Sequence, residues 1–252
     1  MPVTLIPTQT DESRPIHLVR LGELGQSGAP AEHLAWAKAC DFSGEAGKLL
    51  PVPGPDGSIA GAFFGLGVDK GDKGGLSALV TGALARQLPG GDWHFSPEPA
   101  NAELAALGAV LGGYTFGRYG RKATGDVRIA CPAGADADRV RQTAEGVFLA
   151  RDLINTPTND MGPPEIEEAV RELASRHGAT VEAIVGAELL EKNFPMIHAV
   201  GRASAEAPRL IDLRWGRADA PKVTLVGKGV AFDTGGLDIK PASGMLLMKK
   251  DM

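Results

Sequence analysis

The stretch from Val223 to Met252, VTLVGKGVAFDTGGLDIKPASGMLLMKKDM, decides the predicted fold. Its first four residues, Val223 to Val226, have the length and β-branched character of a buried strand. Glycines on both sides of Lys228 then let the chain bend sharply. Asp233, Lys240 and Asp251 follow on glycine-bearing loops. Ligands bind at the carboxyl ends of the strands in open α/β sheets, so this stretch predicts a binding site.

The charged residues of this stretch form a long pattern with fixed spacing. It runs Lys-Gly-X-X-Phe-Asp-X-Gly-Gly-X-X-X-Lys-Pro-X-X-X-Met with an Asp shortly after. This pattern resembles the metal-binding signature of the cytosol (leucyl) aminopeptidases, the M17 metallopeptidase family. A second segment, RDLINTPTN at residues 151–159, resembles a run that precedes the catalytic sheet in that family. Taken alone, these residues are typical of the end of a helix that Pro157 terminates, so a structural role is predicted for them.

The resemblance implies a role for five residues. Lys228 and Asp251 would bind one divalent metal ion, and Asp233 would bridge two ions. Lys240 would be the catalytic residue that polarises the scissile carbonyl. Substrate binding would involve Lys240, Asp233 and Met248, with Met248 lining the pocket for the first side chain. Carboxylates suit Zn²⁺ and Mn²⁺, and a bridging aspartate can hold two ions about 3.5–4 Å apart. A lysine binds a metal only through its neutral amine, which burial and a nearby dication both favour.

The resemblance also implies an activity. The protein would be a metalloaminopeptidase that uses two Zn²⁺ or Mn²⁺ ions to activate a bridging water. It would remove N-terminal residues, apolar and leucine-like, from peptides with a free α-amine. The family assembles as a homohexamer, which predicts an oligomer.

One motif of the family is not found in the sequence. In the family the other metal ion is completed by an Asn-Thr-Asp-Ala-Glu-Gly-Arg motif, whose arginine holds a bicarbonate ion. No Asp-X-Glu-Gly-Arg occurs in these 252 residues. We therefore expect them to supply at most half of a two-metal centre, and we assign the activity to the complete protein.

Composition limits the other classes of function. With 252 residues, 43% of them hydrophobic, the chain can bury a core for one or two domains. The net charge of −5 gives no basic surface for nucleic acid. The chain has two cysteines, no apolar signal segment and no run long enough to span a bilayer, which favours a soluble cytoplasmic protein. The alternatives are a DNA-binding, regulatory member of the same family and a catalytically inactive one.

The alternation of helices and strands predicts an α/β fold with two parts. Residues 1–122 form a small N-terminal α/β domain, and residues 123–252 form the N-terminal portion of a catalytic domain with a mixed or parallel sheet covered by helices. Strands are predicted at 16–21, 59–68, 93–95, 127–131, 181–185, 196–200, 209–215 and 223–226. Helices are predicted from residue 76, at 102–119, from residue 136, at 163–178 and at 187–192.

The remaining chemical groups carry weaker signals. A partial phosphate-binding pattern at residues 70–75 is incomplete, so a surface loop is predicted there. No Gly-X-Ser-X-Gly motif supports a serine hydrolase. None of the histidines is spaced as a metal-ligand pair, so structural or surface positions are predicted for all of them: His17, His33, His94, His177 and His198.

Overall fold

A computed structural model describes residues 3–68, 76–120 and 126–251. The chain forms two compact units, Met1–Leu149 and Ala150–Met252. The predicted domain boundary at 122 and 123 and the predicted loop at 70–75 lie outside the described residues. Within those residues, no helix is both long enough and apolar enough to cross a membrane.

The first unit is built on a six-stranded mixed sheet. The strands have the spatial order β1-β6-β5-β2-β4-β3, and all neighbours are parallel except β3 and β4. The strands are β1 (Val3–Ile6), β2 (Arg14–Arg20), β3 (Leu49–Pro53), β4 (Ile59–Gly67), β5 (Gly91–Ser96) and β6 (Val127–Ala130). Its helices are α1 (Ala31–Ala39) and α2 (Ala102–Gly112), with 3₁₀ segments at Leu24–Gln26 and Leu76–Arg86. Helix α3 (Ala137–Asn155) begins in this unit and ends in the second.

Both faces of this sheet are buried. Phe63 and Phe64 are neighbours on β4, so their side chains point to opposite faces, and both are fully buried. Phe64 packs in a cluster with Leu84 of the second 3₁₀ segment and other residues of β2, β5 and α2. Phe63 packs in a separate cluster that includes Ala37 of α1. Helical segments therefore cover the central strands on both sides, as expected for a mostly parallel sheet.

Helix α2 lies very close to the second 3₁₀ segment because glycines meet there. A Cβ on Gly112 would lie only 1.9 Å from the Gly82 carbonyl oxygen. The hydroxyl of Thr81 donates to the Ala105 carbonyl at 2.7 Å across the same contact. Helix α2 ends at Gly112, with Gly113 as its C-cap, so the predicted extension to residue 119 was wrong. Glycine is a poor helix former, and two in succession end the helix there.

The second unit contains a two-stranded antiparallel sheet and short helices. Its elements after α3 are α4 (Pro163–His177), β7 (Thr180–Val185), α5 (Glu188–Glu191), α6 (Pro195–Gly201) and β8 (Arg209–Arg214). Strand β7 pairs with β8. Two 3₁₀ turns follow, Ala242–Met245 and Met248–Asp251. Together with the first unit this gives a mixed α/β fold, as predicted.

Helix α4 is well defined at both ends. Pro163 occupies its first turn, and the Glu165 carboxylate accepts the Gly162 N–H at 2.9 Å. Gly178 ends the helix with φ of 66°, a left-handed conformation that glycine adopts without strain. On its surface, Glu167 binds Arg209 of β8 at 2.7 Å and Arg171 at 2.7 Å. The helix is thereby fixed to the small sheet.

Most predicted strands are present within two residues at each end, but two are not strands. Residues 196–200 lie in α6, because Pro195 sets the backbone angle of a first helical turn. Short apolar runs do not distinguish strand from helix. Residues 223–226 have no regular structure, and Val223, Leu225 and Val226 are 84%, 93% and 92% exposed. A strand needs a hydrogen-bonding neighbour, and no strand among the described residues pairs with this segment.

Strand β6 belongs to the first sheet. Residues from 123 onward are predicted to lie in the catalytic domain, whereas Val127–Ala130 pairs with β1 on one side and β5 on the other. The apolar run at 127–131 predicted the strand, but pairing with β1 joins residues more than 120 positions apart. Hydrophobic periodicity along the chain carries no information on such a partner.

Candidate metal centre

Hydrogen bonds fold the glycine-rich tail of the second unit back on itself. The Val230 N–H donates to the Asp251 carbonyl at 3.0 Å, and the Lys240 N–H donates to the Thr234 carbonyl at 2.8 Å. The Asp233 N–H points to the sulfur of Met248 at 3.4 Å. These contacts bring the beginning, the middle and the end of the signature close together, although no regular strand supports them.

Asp233 is the centre of this arrangement. Its Oδ1 accepts a hydrogen bond from the Gly235 N–H at 2.8 Å, and its Oδ2 accepts one from Lys240 Nζ at 2.6 Å. The Lys240 hydrogen bond, followed by the Gly235 N–H, lowers the pKa of Asp233 below its ordinary value, and the positive charges of Lys240 and Lys228 act in the same direction. The carboxylate is therefore held in its ionised form, which is the form that binds cations.

Gly235 is needed for this geometry. Its φ of 89° lies in the left-handed region, and a Cβ there would lie 2.1 Å from the Asp238 carbonyl oxygen. A side chain at position 235 would therefore push the loop away from Asp233. The paired glycines of the signature thus have a local structural reason.

The 3₁₀ turn Met248–Asp251 arranges the other end of the signature. A 3₁₀ turn has three residues per turn, so side chains at i and i+3 lie on the same side, here Met248 and Asp251. The intervening Lys249 lies on another side, where its Nζ donates to Asn155 Oδ1 at 2.9 Å. Lys250 Nζ contacts Asp251 Oδ1 at 3.2 Å.

Asn155 and Lys249 are hydrogen-bond partners that the sequence pattern does not predict. Asn155 was included in the second family-like segment, but polar residues at a helix end usually satisfy local backbone groups. Its contact with Lys249 spans 94 positions, which no local rule predicts. The available signal in the sequence was that both family-like segments, residues 151–159 and 223–252, occur in the same chain.

The donor atoms of the tail suit one side of a divalent metal centre. An ionised carboxylate has about four lone-pair sites, and Asp233 uses two of them for Gly235 and Lys240. Asp251 offers a second carboxylate and Lys228 an amine. Within the described ranges, no three His, Cys, Asp or Glu side chains are grouped in a way that could hold a metal ion. Two carboxylates and an amine are thus a matching but partial donor set for Zn²⁺ or Mn²⁺.

Three of the histidines form a separate cluster in the first unit. His17 Nε2 lies 3.1 Å from His33 Nδ1, and the His17 ring packs on Phe63 with centroids 5.0 Å apart. His17 is 3% exposed. Burial, followed by the charges of His33 and His94, lowers the pKa of His17 to about 4. His17 is therefore neutral near pH 7.

Comparisons with known proteins identify relatives over most of the chain. The catalytic-domain model of the cytosol aminopeptidase family matches residues 148–252, and the model of the M17 aminopeptidase N-terminal domain matches residues 15–132. A probable cytosol aminopeptidase of Methylorubrum extorquens is 36% identical over 91% of this chain and 50% of its own length. The chain spans about half the length of the curated relatives it matches.

Solved structures agree with these matches. The cytosol aminopeptidase of Coxiella burnetii has a TM-score of 0.86 and 38% identity, covering 98% of this chain and 54% of that chain. The bottromycin maturation enzyme BotP, solved in complex with Mn, has a TM-score of 0.74 and 31% identity, covering 100% of this chain and 53% of that chain. The fold, the spacing of the signature and both family models agree, and the chain belongs to the cytosol aminopeptidase (M17) family.

Proposed function

We propose that the complete protein is a metal-dependent aminopeptidase and that this chain supplies one side of its two-metal centre. The observation that carries the proposal is the contact of the ionised Asp233 carboxylate with Lys240 at 2.6 Å, beside the Met248 sulfur. The resemblance assigns these three residues to metal bridging, catalysis and substrate binding. Family membership supports the same assignment.

In this proposal Lys228 and Asp251 would hold one ion, and Asp233 would be a ligand of both. Two divalent ions, when bound, supply the Lewis acidity that activates a water and polarises the scissile carbonyl. The chain keeps Asp233 ionised through Lys240 and Gly235, so its free lone pairs are available to cations. Mn²⁺ is one candidate, since a relative with 31% identity was solved with Mn, and Zn²⁺ is the other.

Lys240 would stabilise the negative charge that develops on the carbonyl oxygen. An ammonium has three N–H donors, and Asp233 accepts one of them. The other two can be directed at a substrate oxygen while the first holds the side chain in position. A donor that is oriented before the reaction is the arrangement that lowers the barrier most effectively.

Met248 would contact the first side chain of the substrate. Its thioether is flexible and polarisable, which suits apolar groups of differing shape. Its sulfur lies next to the Asp233 N–H, so a side chain bound there would be close to the metal-binding carboxylate. We therefore propose a preference for apolar, leucine-like N-terminal residues.

The experiment compares leucyl-p-nitroanilide with its N-acetylated form, using the complete natural protein loaded with Mn²⁺ or Zn²⁺. We expect hydrolysis of the free-amine substrate only, and loss of hydrolysis in Asp233→Ala. Equal hydrolysis of the acetylated substrate, or full activity of Asp233→Ala, would contradict the proposal.

We also propose that the complete protein is a cytoplasmic homohexamer. Light scattering of the complete protein tests the number of subunits. Neither the net charge of −5 nor the comparisons favour the DNA-binding alternative.

A further inference from the structure

A side-chain contact ties the end of helix α3 to the 3₁₀ turn Met248–Asp251. Lys249 Nζ donates to Asn155 Oδ1 at 2.9 Å, and both residues lie in the second compact unit. Asn155 is the last residue of α3, in the second family-like segment. Lys249 lies between the proposed substrate contact Met248 and the proposed metal ligand Asp251. The two segments are therefore joined in space.

Asn155 is held in a fixed position by its neighbour. The Thr156 side chain donates to the Asp152 carbonyl at 2.7 Å, and the Thr156 N–H donates to the same oxygen at 3.0 Å. Thr156 is 3% exposed. Pro157 then ends the helix and starts a turn, in which its carbonyl accepts the Asp160 N–H at 2.9 Å. The Asn155 amide thus projects from a rigid helix end.

The Met248–Asp251 turn is held from two directions. On one side, the Met248 sulfur and the Asp251 carbonyl receive N–H groups from the loop that carries Asp233. On another side of the same turn, Lys249 binds Asn155. Three residues per turn put Met248 and Asp251 on a common side, so fixing Lys249 fixes the rotation of both.

We propose that Asn155 is a positioning residue, which through Lys249 sets the rotation of the Met248–Asp251 turn so that Asp251 is presented to the metal on the side of Asp233. This inference rests on the proposed function of Asp233 and Asp251 as metal ligands. It gives the second family-like segment a role in the metal centre rather than in helix termination alone. Partners of metal ligands commonly contribute tenfold or more to metal affinity.

The test measures Mn²⁺ binding to the complete natural protein by isothermal titration calorimetry. Asn155→Ala removes the acceptor and Lys249→Met removes the donor, and we expect each to weaken Mn²⁺ binding by about tenfold or more. Asn155→Asp keeps an acceptor for the ammonium and should bind Mn²⁺ as the natural protein does. The double variant Asn155→Ala, Lys249→Met should be no weaker than either single variant, because one contact is lost in all three.

Two controls separate positioning from folding. Lys222→Met removes an exposed lysine of the same unit and should leave Mn²⁺ affinity unchanged. Melting temperatures in EDTA should be alike for Lys249→Met and the natural protein, because the Asn155–Lys249 contact is exposed. Equal loss of affinity in Asn155→Asp and Asn155→Ala, or unchanged affinity in Lys249→Met, would overturn the inference.

Failure of the proposed function gives a different result. If the natural protein binds no Mn²⁺, or if Asp233→Ala binds it equally well, the metal-ligand assignment and this inference both fail. If binding depends on Asp233 but not on Asn155 and Lys249, only the positioning role is lost.

Discussion

Lys240 Nζ lies 2.6 Å from Asp233 Oδ2, and the Gly235 N–H binds the other oxygen of the same carboxylate. One lysine therefore has two tasks in the proposed site. The Lys240 hydrogen bond lowers the pKa of Asp233, and in the proposed function the same ammonium would stabilise the negative charge that develops on the substrate. These two tasks can be separated by experiment.

Replacement of Lys240 by methionine should raise the pKa of Asp233. The Lys240 hydrogen bond is the largest cause of the lowered pKa, and its charge acts in the same direction. A ¹³C NMR titration of the Asp233 carboxyl in the metal-free chain measures the change. Lys250→Met is the matched control, since Lys250 contacts Asp251 instead. An Asp233 pKa that does not respond to Lys240→Met would show that the pair does not form in solution.

The same substitution should reduce catalysis. Loss of one oriented donor to a developing oxyanion lowers kcat by about 10²–10³-fold. Steady-state kinetics of the complete Lys240→Met protein with a leucyl substrate measure this effect. Mn²⁺ binding should persist, because the lost group is a cation rather than a ligand. A kcat within twofold of the natural value, at saturating metal, would remove Lys240 from the catalytic role.

His17 should make the protein sensitive to acid. Its folded-state pKa of about 4 lies below its ordinary value of 6.5, because it is buried and faces His33 and His94. As the pH falls below 6.5 the unfolded chain takes up this proton first, so the contribution of His17 to stability decreases between about pH 6.5 and 4 and then levels off. The loss of unfolding free energy that is due to His17 should be at most about 3–4 kcal/mol over this range.

Urea denaturation at several pH values measures that loss. His17→Gln should flatten the dependence of the unfolding free energy on pH between 6.5 and 4. His177→Gln, at the exposed end of α4, should leave the dependence as it is. An equally steep dependence in His17→Gln would mean that other groups cause the acid sensitivity.

Two glycine-to-alanine changes should have opposite effects on stability. Gly112→Ala places a Cβ 1.9 Å from the Gly82 carbonyl oxygen, so α2 must move and the chain should lose about 1–3 kcal/mol. Gly146 lies in α3, and a Cβ there would have no atom within 4 Å apart from the backbone of its own helix. Gly146→Ala should therefore stabilise the protein by about 0.5–1 kcal/mol, because alanine is the better helix former. Thermal melting followed by circular dichroism compares them. Similar melting temperatures for the two variants would contradict the close approach of α2.

The two arginines that contact Glu167 should differ in their contribution to stability. The side chain of Arg209 is 14% exposed, whereas that of Arg171 is 50% exposed. Arg209→Met leaves the Glu167 carboxylate poorly compensated and should cost about 2 kcal/mol or more. Arg171→Met should cost less than about 1 kcal/mol, because exposed ion pairs contribute little. Chemical denaturation of both variants tests the ranking, and a larger loss in Arg171→Met would reverse it.

The sequence predicted the α/β class, the family and most strands, because apolar runs and the signature are local features. It did not predict which strands pair. Residues 223–226 have the composition of a buried strand, but they are exposed. No strand among the described residues lies beside them to form hydrogen bonds. Residues 196–200 were also predicted as a strand, but they form a helix, because Pro195 favours the first turn of a helix.

For the site, the sequence indicated the residue types and the structure added their contacts. The family resemblance indicated Asp233, Lys240 and Met248, and in the structure Asp233 contacts both of the others. The spacing did not indicate the hydrogen bond between Asn155 and Lys249. These residues are 94 positions apart in the sequence, so their contact depends on how the chain folds. Local patterns predict chemistry, whereas distant contacts require the packed structure.

The most direct test of the account is anomalous diffraction from crystals of the complete protein soaked in Mn²⁺. We predict two anomalous peaks, with the Asp233 carboxylate bound to both and Asp251 and Lys228 bound to one. Peaks located away from these three side chains, or Mn²⁺ bound equally well after Asp233→Ala, would contradict the assignment of this chain to the metal centre.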